Sequence, residues 1–379
     1  MHKIVHVFSD TTFVNEYEHF NNPGFANTIL FINPDAKGNL KSIPTPVIVS
    51  DIKNEFQNIL KICSDSDLTI LYEMDYPKSQ LAIMIPDNVI VVWRFFGAEL
   101  YDLRPELYLS ELSLKFLRNK SEQLRKLTDP KAIIRKLLDL TSIRSRRNNT
   151  FFKAIKRVNL LLGLSEYEYN HLKSIWKQLP PFIQLPVIFK RSESRLREKK
   201  DIIIIGNSRS SYNNHIDIIE LINNNPVKGE YRYMVPFSYG IENSYTREVR
   251  KMVRISQKQF FLIEELLDNK SYSDLLASAK AAVFNTYRQM AMGNISFCIG
   301  SGVKVYLNKN NVIYNWLKDT GLKVFTIEDF AQDLYVGKMQ LSSEDIDCNI
   351  QAFEKLTKIY NKEDFISNIM LYFKGNKNS

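Results

Sequence analysis

The stretch Asp201-Ile202-Ile203-Ile204-Ile205-Gly206-Asn207-Ser208 decides how this chain is built. Four consecutive isoleucines leave no polar face, as in a strand buried on both sides within a parallel sheet. The run ends at Gly206, and a small polar loop leads through Asn213-Asn214-His215 into the helical spacing of Ile216 to Ile222. Strand, loop and helix in that order open an α/β domain. Apolar runs at Tyr231–Val235, Phe260–Ile263, Ala281–Phe284, Lys304–Leu307 and Lys323–Thr326 predict its later strands, and the spacing from Ser343 to Phe373 predicts one or two closing helices.

Upstream of this restart, Leu179-Pro180-Pro181, Pro186 and the charged run Lys190 to Lys200 have the composition of a linker. Before the linker, apolar runs at Ile4–Phe8, Thr28–Ile32, Pro46–Val49, Leu68–Tyr72, Leu81–Ile85 and Val89–Trp93 alternate with helical stretches, which predicts another mostly parallel α/β sheet. A chain of 379 residues is also too long for one core, since cores stop growing near roughly 250–300 residues. The expected division is a first α/β domain over 1–180, a linker over 181–200, a second α/β domain over 201–342 and C-terminal helices over 343–379.

Hydrophobic residues at 44% and charged ones at 25% exclude a disordered or fibrous chain. The apolar stretch from Leu81 to Tyr101 is broken by Pro86, Asp87, Asn88 and Arg94, so no membrane-spanning helix is expected. The apolar run within Met1 to Asp10 is too short for an export signal. Cys63, Cys298 and Cys348 offer neither a disulfide framework nor a zinc spacing, which suits a reducing cytoplasm.

The net charge of +9 is concentrated. Lys115 to Arg157 holds fourteen Lys and Arg against Glu122, Asp129 and Asp139, a local +11, which leaves the rest of the chain at −2. Ile133, Ile134, Leu137, Leu138, Phe151, Phe152, Ile155, Val158, Leu161 and Leu162 recur there at helical spacing, which reads as basic amphipathic helices. Two fates are open to such helices: lying on an anionic bilayer with the apolar face down, or packing that face on the protein and leaving the cations in water. No nucleic-acid-binding motif accompanies the charge, so nucleic acid is not an expected partner.

Three clusters carry chemistry. Gly206, Asn207 and Ser208, with Asn213, Asn214 and His215, place a polar loop ahead of a helix N-terminus, where free N–H groups and the helix dipole suit a diphosphate; a tight turn with an Asn cap is the alternative. Arg288-Gln289-Met290-Ala291-Met292-Gly293-Asn294 follows a buried strand, at the carboxyl end where open α/β sheets bind ligands. There Arg288 suits a phosphate and Gln289 and Asn294 suit sugar hydroxyls, against an ordinary exposed arginine before a helix starting at Gly293. Trp93-Arg94-Phe95-Phe96-Gly97-Ala98-Glu99-Leu100-Tyr101 sets Glu99 past a strand end as a candidate general base, with Asp10 in reserve.

As a set, "GNS…NNH", "VPFSYG" (Val235–Gly240), "YRQMAMGN" (Tyr287–Asn294) and "WRFFGAELY" (Trp93–Tyr101) resemble the TDP-N-acetylfucosamine:lipid II N-acetylfucosaminyltransferases, glycosyltransferase family 56. The resemblance runs continuously from about Ile202 to about Phe330 and is thin before that, resting on the tryptophan motif and the opening strand. It implies the GT-B architecture, two Rossmann-like domains facing across a cleft, with acceptor binding in 1–180 and nucleotide-sugar binding in 201–342. The implied reaction moves a 6-deoxy amino sugar from TDP to a hydroxyl of a polyprenyl-diphosphate-linked saccharide, with the enzyme peripheral to the cytoplasmic face of a bacterial inner membrane. Donor-binding positions carried over are Gly206, Asn207, Ser208, Asn213, Asn214, His215, Ser238, Tyr239, Arg288, Gln289, Gly293 and Asn294. The family pattern has Asp where this chain has Glu99. No cofactor or metal is expected, on the reading that the chain has no Asp-x-Asp triplet of the sort that holds a divalent ion on a donor diphosphate. A nucleotide-sugar 2-epimerase of the same architecture, or a membrane-associated scaffold without chemistry, are the competing readings.

Overall fold

The structure, a computed structural model, describes residues 1–33, 43–118, 146–187 and 198–376. It divides into two compact units, one comprising Met1–Glu99, Pro130–Val187 and Ile359–Ser379, the other Leu100–Asp129 and Ile188–Lys358.

Among the described residues the first unit is built on a seven-stranded parallel sheet: β1 (His2–Phe8), β2 (Phe25–Phe31), β3 (Val47–Val49), β4 (Leu68–Tyr72), β5 (Ile90–Arg94), β6 (Leu160–Gly163) and β7 (Phe182–Gln184). The order β3-β2-β1-β4-β5-β6-β7 runs outward one way from β1 and the other way from β4, so the topological switch falls between those two. Ile4, Phe8, Ile29, Phe31, Ile70, Val92 and Leu162 form its core. His6 lies buried within it, its ring nitrogens 3.0 Å from Tyr72 Oη and 3.0 Å from Asn27 Oδ1. Burial pulls its pKa down to about 4, so the ring is neutral near pH 7. Phe365, Ile369 and Phe373 of the helix Lys362–Asn376 complete the same core, so the end of the chain returns to the unit that its beginning founded.

Among the described residues the second unit carries a six-stranded parallel sheet: β8 (Lys200–Ile205), β9 (Arg232–Pro236), β10 (Gln259–Ile263), β11 (Ala279–Phe284), β12 (Lys304–Leu307) and β13 (Phe325–Thr326). In the order β10-β9-β8-β11-β12-β13 the switch lies between β8 and β11. Ile203, Ile205, Ile219, Tyr233, Val235, Phe237, Tyr245 and Val283 fill the core. Leu112, Phe116 and Leu117, from the helix Glu111–Arg118, pack against it. The sequence division at residue 180 placed that helix in the first domain.

Several expectations are corrected. Leu81–Ile85 is not a strand: the helix Tyr76–Met84 begins at Asp75, whose carboxylate accepts from Lys78 N–H, with Pro77 in the first turn. Capping settles what five apolar residues alone leave ambiguous. Leu161 and Leu162, expected on a helix, lie in β6, where four consecutive apolar or small residues suit a strand buried on both faces. The proline-rich stretch expected as linker contains β7. Pro181 C=O accepts from Leu161 N–H (2.8 Å), and an edge strand tolerates flanking prolines.

Of the basic segment, residues 119–145 lie outside the described residues, and with them Ile133, Ile134, Leu137, Leu138 and Arg144. Residues 146–157 are helical, as expected, but their apolar face turns inward: Phe151 and Ile155 are buried, with Phe151 edge-on to Trp93 at 5.7 Å. The expectation that these side chains enter a bilayer is corrected accordingly. Arg157 is a structural tie, donating to the carbonyls of Ile85 (3.2 Å), Pro86 (2.6 Å) and Val89 (2.9 Å). Arg146, Arg147, Lys153 and Lys156 remain exposed. No described helix is long and apolar enough to cross a membrane.

Candidate functional site

In the second unit the site forms where β8 and β11 end. Gly206 leaves β8 at φ +68°, its N–H donating to Val283 C=O (2.9 Å). A Cβ there would stand 2.7 Å from His215 Nε2 and 3.0 Å from Asn213, so glycine is needed for close packing inside the loop. His215 is fully buried, and burial lowers its pKa to about 3. Tyr245 Oη accepts from the His215 backbone N–H (2.7 Å) and sits 3.0 Å from Nδ1. If the phenol proton goes to Nδ1, the ring proton falls on Nε2, which is buried without a partner.

The rest of the loop is tied on both sides. Asn207 Nδ2 donates to Tyr239 Oη (2.9 Å), and Arg209 donates from its backbone N–H to Tyr239 C=O (3.0 Å) and from Nη2 to Ser238 C=O (2.9 Å). Asn213 Nδ2 donates to Ser208 C=O (2.9 Å). Asn214 occupies the cap position of the helix His215–Asn224 in the left-handed region (φ 47°), but its side chain makes no capping bond. It bridges instead, donating to Asn285 C=O (2.9 Å) at the end of β11 and accepting from Ser110 N–H (2.9 Å). The simple Asn-capped turn is therefore not what this loop is. Asn207 Oδ1 and Asn213 Oδ1 are buried without partners.

The Arg288 cluster supplies the charge. Its guanidinium lies 4.1 Å over the Tyr212 ring and 5.3 Å from the Tyr101 ring, with Nη2 3.6 Å from Met290 Sδ. Asp102 stands 3.9 Å from Nη1 and accepts from Tyr212 Oη (2.8 Å). Arg288 Nε and Nη1 are buried and make no hydrogen bond, and Gln289 Oε1 is likewise unpartnered. Just beyond, Ala291 takes φ +60° ahead of the helix Met292–Gly300, which has no side-chain cap, and the space around Gly293 is open. Asn294 is engaged, its Nδ2 donating to Tyr272 Oη (2.8 Å). Neither helix has a side chain capping it from the cap position, but the first N–H of the helix after Gly206 is already taken by Tyr245, which leaves the helix start after β11. An always-charged fork with unmet donors beside free helix N–H groups is an anion site in physical terms.

In the first unit, Glu99 belongs to the short helix Ala98–Tyr101. Its Oε1 accepts from Trp93 Nε1 (3.2 Å), Met74 N–H (3.3 Å) and Phe96 N–H (3.5 Å), while Oε2 is buried without a partner. Burial raises its pKa, against the pull of those donors. Asp10 is exposed just after β1 and accepts from Thr12 N–H (2.8 Å). Sequence reasoning missed Glu73, which follows β4 at φ +65°, and the fully buried Lys78, whose Nζ donates to Ser9 Oγ (2.6 Å) with Asp75 Oδ2 at 3.4 Å. It also missed Tyr212 and Asp102. Only Tyr212 carried a signal, lying inside the loop already singled out.

The sequence does contain Asp-x-Asp triplets, Asp65-Ser66-Asp67 and Asp345-Ile346-Asp347, outside the clusters considered. The first precedes β4, where Asp67 accepts from Lys3 N–H (2.8 Å), and the second lies on the helix Ser343–Ile359. Among the described residues no group of three or more His, Cys, Asp or Glu could hold a metal ion.

Two parallel α/β units give the chain the GT-B architecture, and the family match makes it a glycosyltransferase of that type. The model of the family described as 4-alpha-L-fucosyltransferase, glycosyl transferase group 56, matches residues 166–366, a little over half of the sequence, and the chain belongs to that family. Among solved structures it is similar to Anabaena HepE in complex with UDP and glucose, with 10% identity over 99% of this chain and 100% of that one at a TM-score of 0.62. Sucrose-phosphate synthase from Thermosynechococcus elongatus gives 10% identity, full coverage of both chains and a TM-score of 0.62. An alpha-glucosyltransferase in complex with UDP gives 10% identity over 99% and 100% of the chains and a TM-score of 0.57. At these identities the likeness is one of fold.

Proposed function

We propose that this enzyme transfers a 6-deoxy amino sugar of the fucose type from a TDP-linked donor to a hydroxyl of a polyprenyl-diphosphate-linked saccharide, in bacterial surface polysaccharide synthesis. The observation that carries the donor half is Arg288, whose unmet N–H groups lie near the uncapped start of the helix Met292–Gly300. Together they would take the diphosphate, while Asn207, Ser208, Asn213, Asn214, His215, Ser238 and Tyr239 would shape the neighbouring loops and Gln289 and Asn294 would read sugar hydroxyls. Two of the similar folds hold UDP, which supports a nucleoside diphosphate here. As the sugar leaves, negative charge grows on the diphosphate, and preorganised donors of this kind contribute several kcal/mol to its stabilisation.

A thermal-shift series with TDP, UDP, GDP and the matching nucleosides tests this. TDP at 100 times its dissociation constant should add about 2.7 kcal/mol of stability, and nucleosides lacking phosphate should add little. No shift with any nucleoside diphosphate would overturn the assignment.

A lipid-linked acceptor requires a peripheral station at the cytoplasmic face of the inner membrane. Because the apolar face of residues 146–157 is turned inward, this helix would contribute to docking through the exposed Arg146, Arg147, Lys153 and Lys156, electrostatically. Binding should therefore be strong on vesicles rich in anionic lipid and weakened by high salt, given a Debye length of about 8–10 Å near physiological ionic strength. Equal binding to neutral vesicles in a co-sedimentation assay would sink this part of the reading.

A further inference from the structure

A cavity of about 140 Å³ opens at the switch point of the first sheet, at the carboxyl ends of β1 and β4. Phe13, Tyr72 and Phe96 supply its rings, and Asp10, Glu73 and Thr12 its polar atoms. Phe13 stacks on Phe96 at 4.3 Å and is 47% exposed, so an aromatic face stands open to solvent beside two carboxylates. Drug-sized pockets run to about 300–1,000 Å³, so this one is sized for a single ring.

Glu73 stands at the rim with its side chain reaching solvent, and among the described residues no hydrogen bond holds its carboxylate. Its φ of +65° is costly for a glutamate and free for a glycine. Its backbone N–H donates to Arg94 C=O (3.0 Å), but a side chain that forces a strained backbone and makes no hydrogen bond of its own contributes little to folding, which leaves function as its reason. Glu99 differs: its hydrogen bonds to Met74 and Phe96 N–H hold together the two strand-end loops that shape the cavity.

We propose that this cavity holds the sugar ring of the acceptor against Phe13 and Phe96, and that Glu73 is the general base, with Glu99 a positioning residue. The assignment rests on the reading of the first unit as the acceptor side. Glu73 removes the proton from the acceptor hydroxyl, that oxygen bonds to C1 of the donor sugar, and the bond from C1 to the diphosphate oxygen breaks with its electron pair leaving on TDP. One direct displacement of this kind inverts C1. The groups around Glu73 are suited to the task. Desolvation raises its pKa, the buried Lys78 ammonium opposes that rise, and Glu99, Asp75 and Asp10 add to it, which makes the carboxylate a stronger base than an ordinary surface glutamate.

The test uses the full chain, TDP-N-acetylfucosamine as donor and a water-soluble, short-prenyl diphosphate disaccharide as acceptor. Glu73→Gln should lose roughly 10²–10⁴ in turnover, the usual span for a general base, with TDP affinity unchanged. The acid limb of kcat/KM, which falls as pH drops through the raised pKa of Glu73, should vanish with it. Glu73→Gly should lose the same activity yet melt at or above the wild-type temperature, an outcome that a structural role forbids. Glu73→Gln retaining a tenth or more of its turnover, or Glu73→Gly melting well below wild type, would overturn the base assignment. Phe13→Ala with Phe96→Ala should raise the acceptor KM at least tenfold without changing TDP affinity. An unchanged KM there removes the acceptor from the cavity, and that result refutes the acceptor-side reading whatever the Glu73 variants do.

Discussion

Valine at position 206 is expected to abolish nucleotide binding by dismantling its own loop. The backbone there sits at φ +68°, a region that a β-branched residue avoids. The side chain would also enter space held by His215 Nε2 and Asn213, 2.7 and 3.0 Å from its Cβ. Neither can yield easily: His215 is held by Tyr245, and Asn213 by Ser208. Left-handed strain of about 1–2 kcal/mol and overpacking of about 1–3 kcal/mol act on the same few atoms, so the melting temperature should fall along with TDP affinity. Gly206→Ala should fall between the two. A Gly206→Val protein with wild-type melting temperature and TDP affinity would show that the loop has no part in the site.

Removal of Arg288 should have the opposite profile, with donor use impaired and the fold intact. Its Nε and Nη1 make no hydrogen bond, so among polar contacts Arg288→Ala gives up only the 3.9 Å ion pair with Asp102 and the weak contact of Nη2 with Met290 Sδ, and Asp102 keeps its bond from Tyr212. What is lost is a charged donor for the diphosphate, worth roughly 1.5–3 kcal/mol, which corresponds to at least a tenfold fall in donor kcat/KM. Arg288→Lys should recover little, because an ammonium lacks the planar fork and does not lie flat on Tyr212 and Tyr101. Unchanged donor kinetics in a folded Arg288→Ala protein would remove this residue from the site.

Much of the architecture was readable from the residues because buried parallel strands are long unbroken apolar runs. Ile202 to Ile205 and Ala281 to Phe284 could hardly be anything else. Reading failed where a run was short and its fate was set elsewhere. Leu81–Ile85 became helix through the cap at Asp75, and Leu160–Gly163 became strand because β5 and β7 lie on either side of it. The candidate site follows the same rule. Arg288 and the Gly206 loop were visible as contiguous clusters at strand ends, and their geometry there supports the roles proposed for them. Tyr212 under the Arg288 guanidinium, Asp102 beside it and Glu73 on the rim of the cavity come together only through the fold, and no local pattern marks them. Glu99 is the converse case. It was conspicuous in sequence as the carboxylate past a strand end, but one of its oxygens is spent on tying two loops together.

The helix Lys362–Asn376 bears on the order in which the protein is finished as it is made. Phe365, Ile369 and Phe373 belong to the core of the first unit, yet they leave the ribosome after the whole of β8 to β13. Domains ordinarily fold in the order of their synthesis. Here the half whose strands emerge first must wait with an apolar groove uncovered, against His2, Phe20 and Phe25, until the second half is complete. The nascent chain therefore carries an uncovered apolar surface on its oldest part, and that is where a chaperone would shield it during translation.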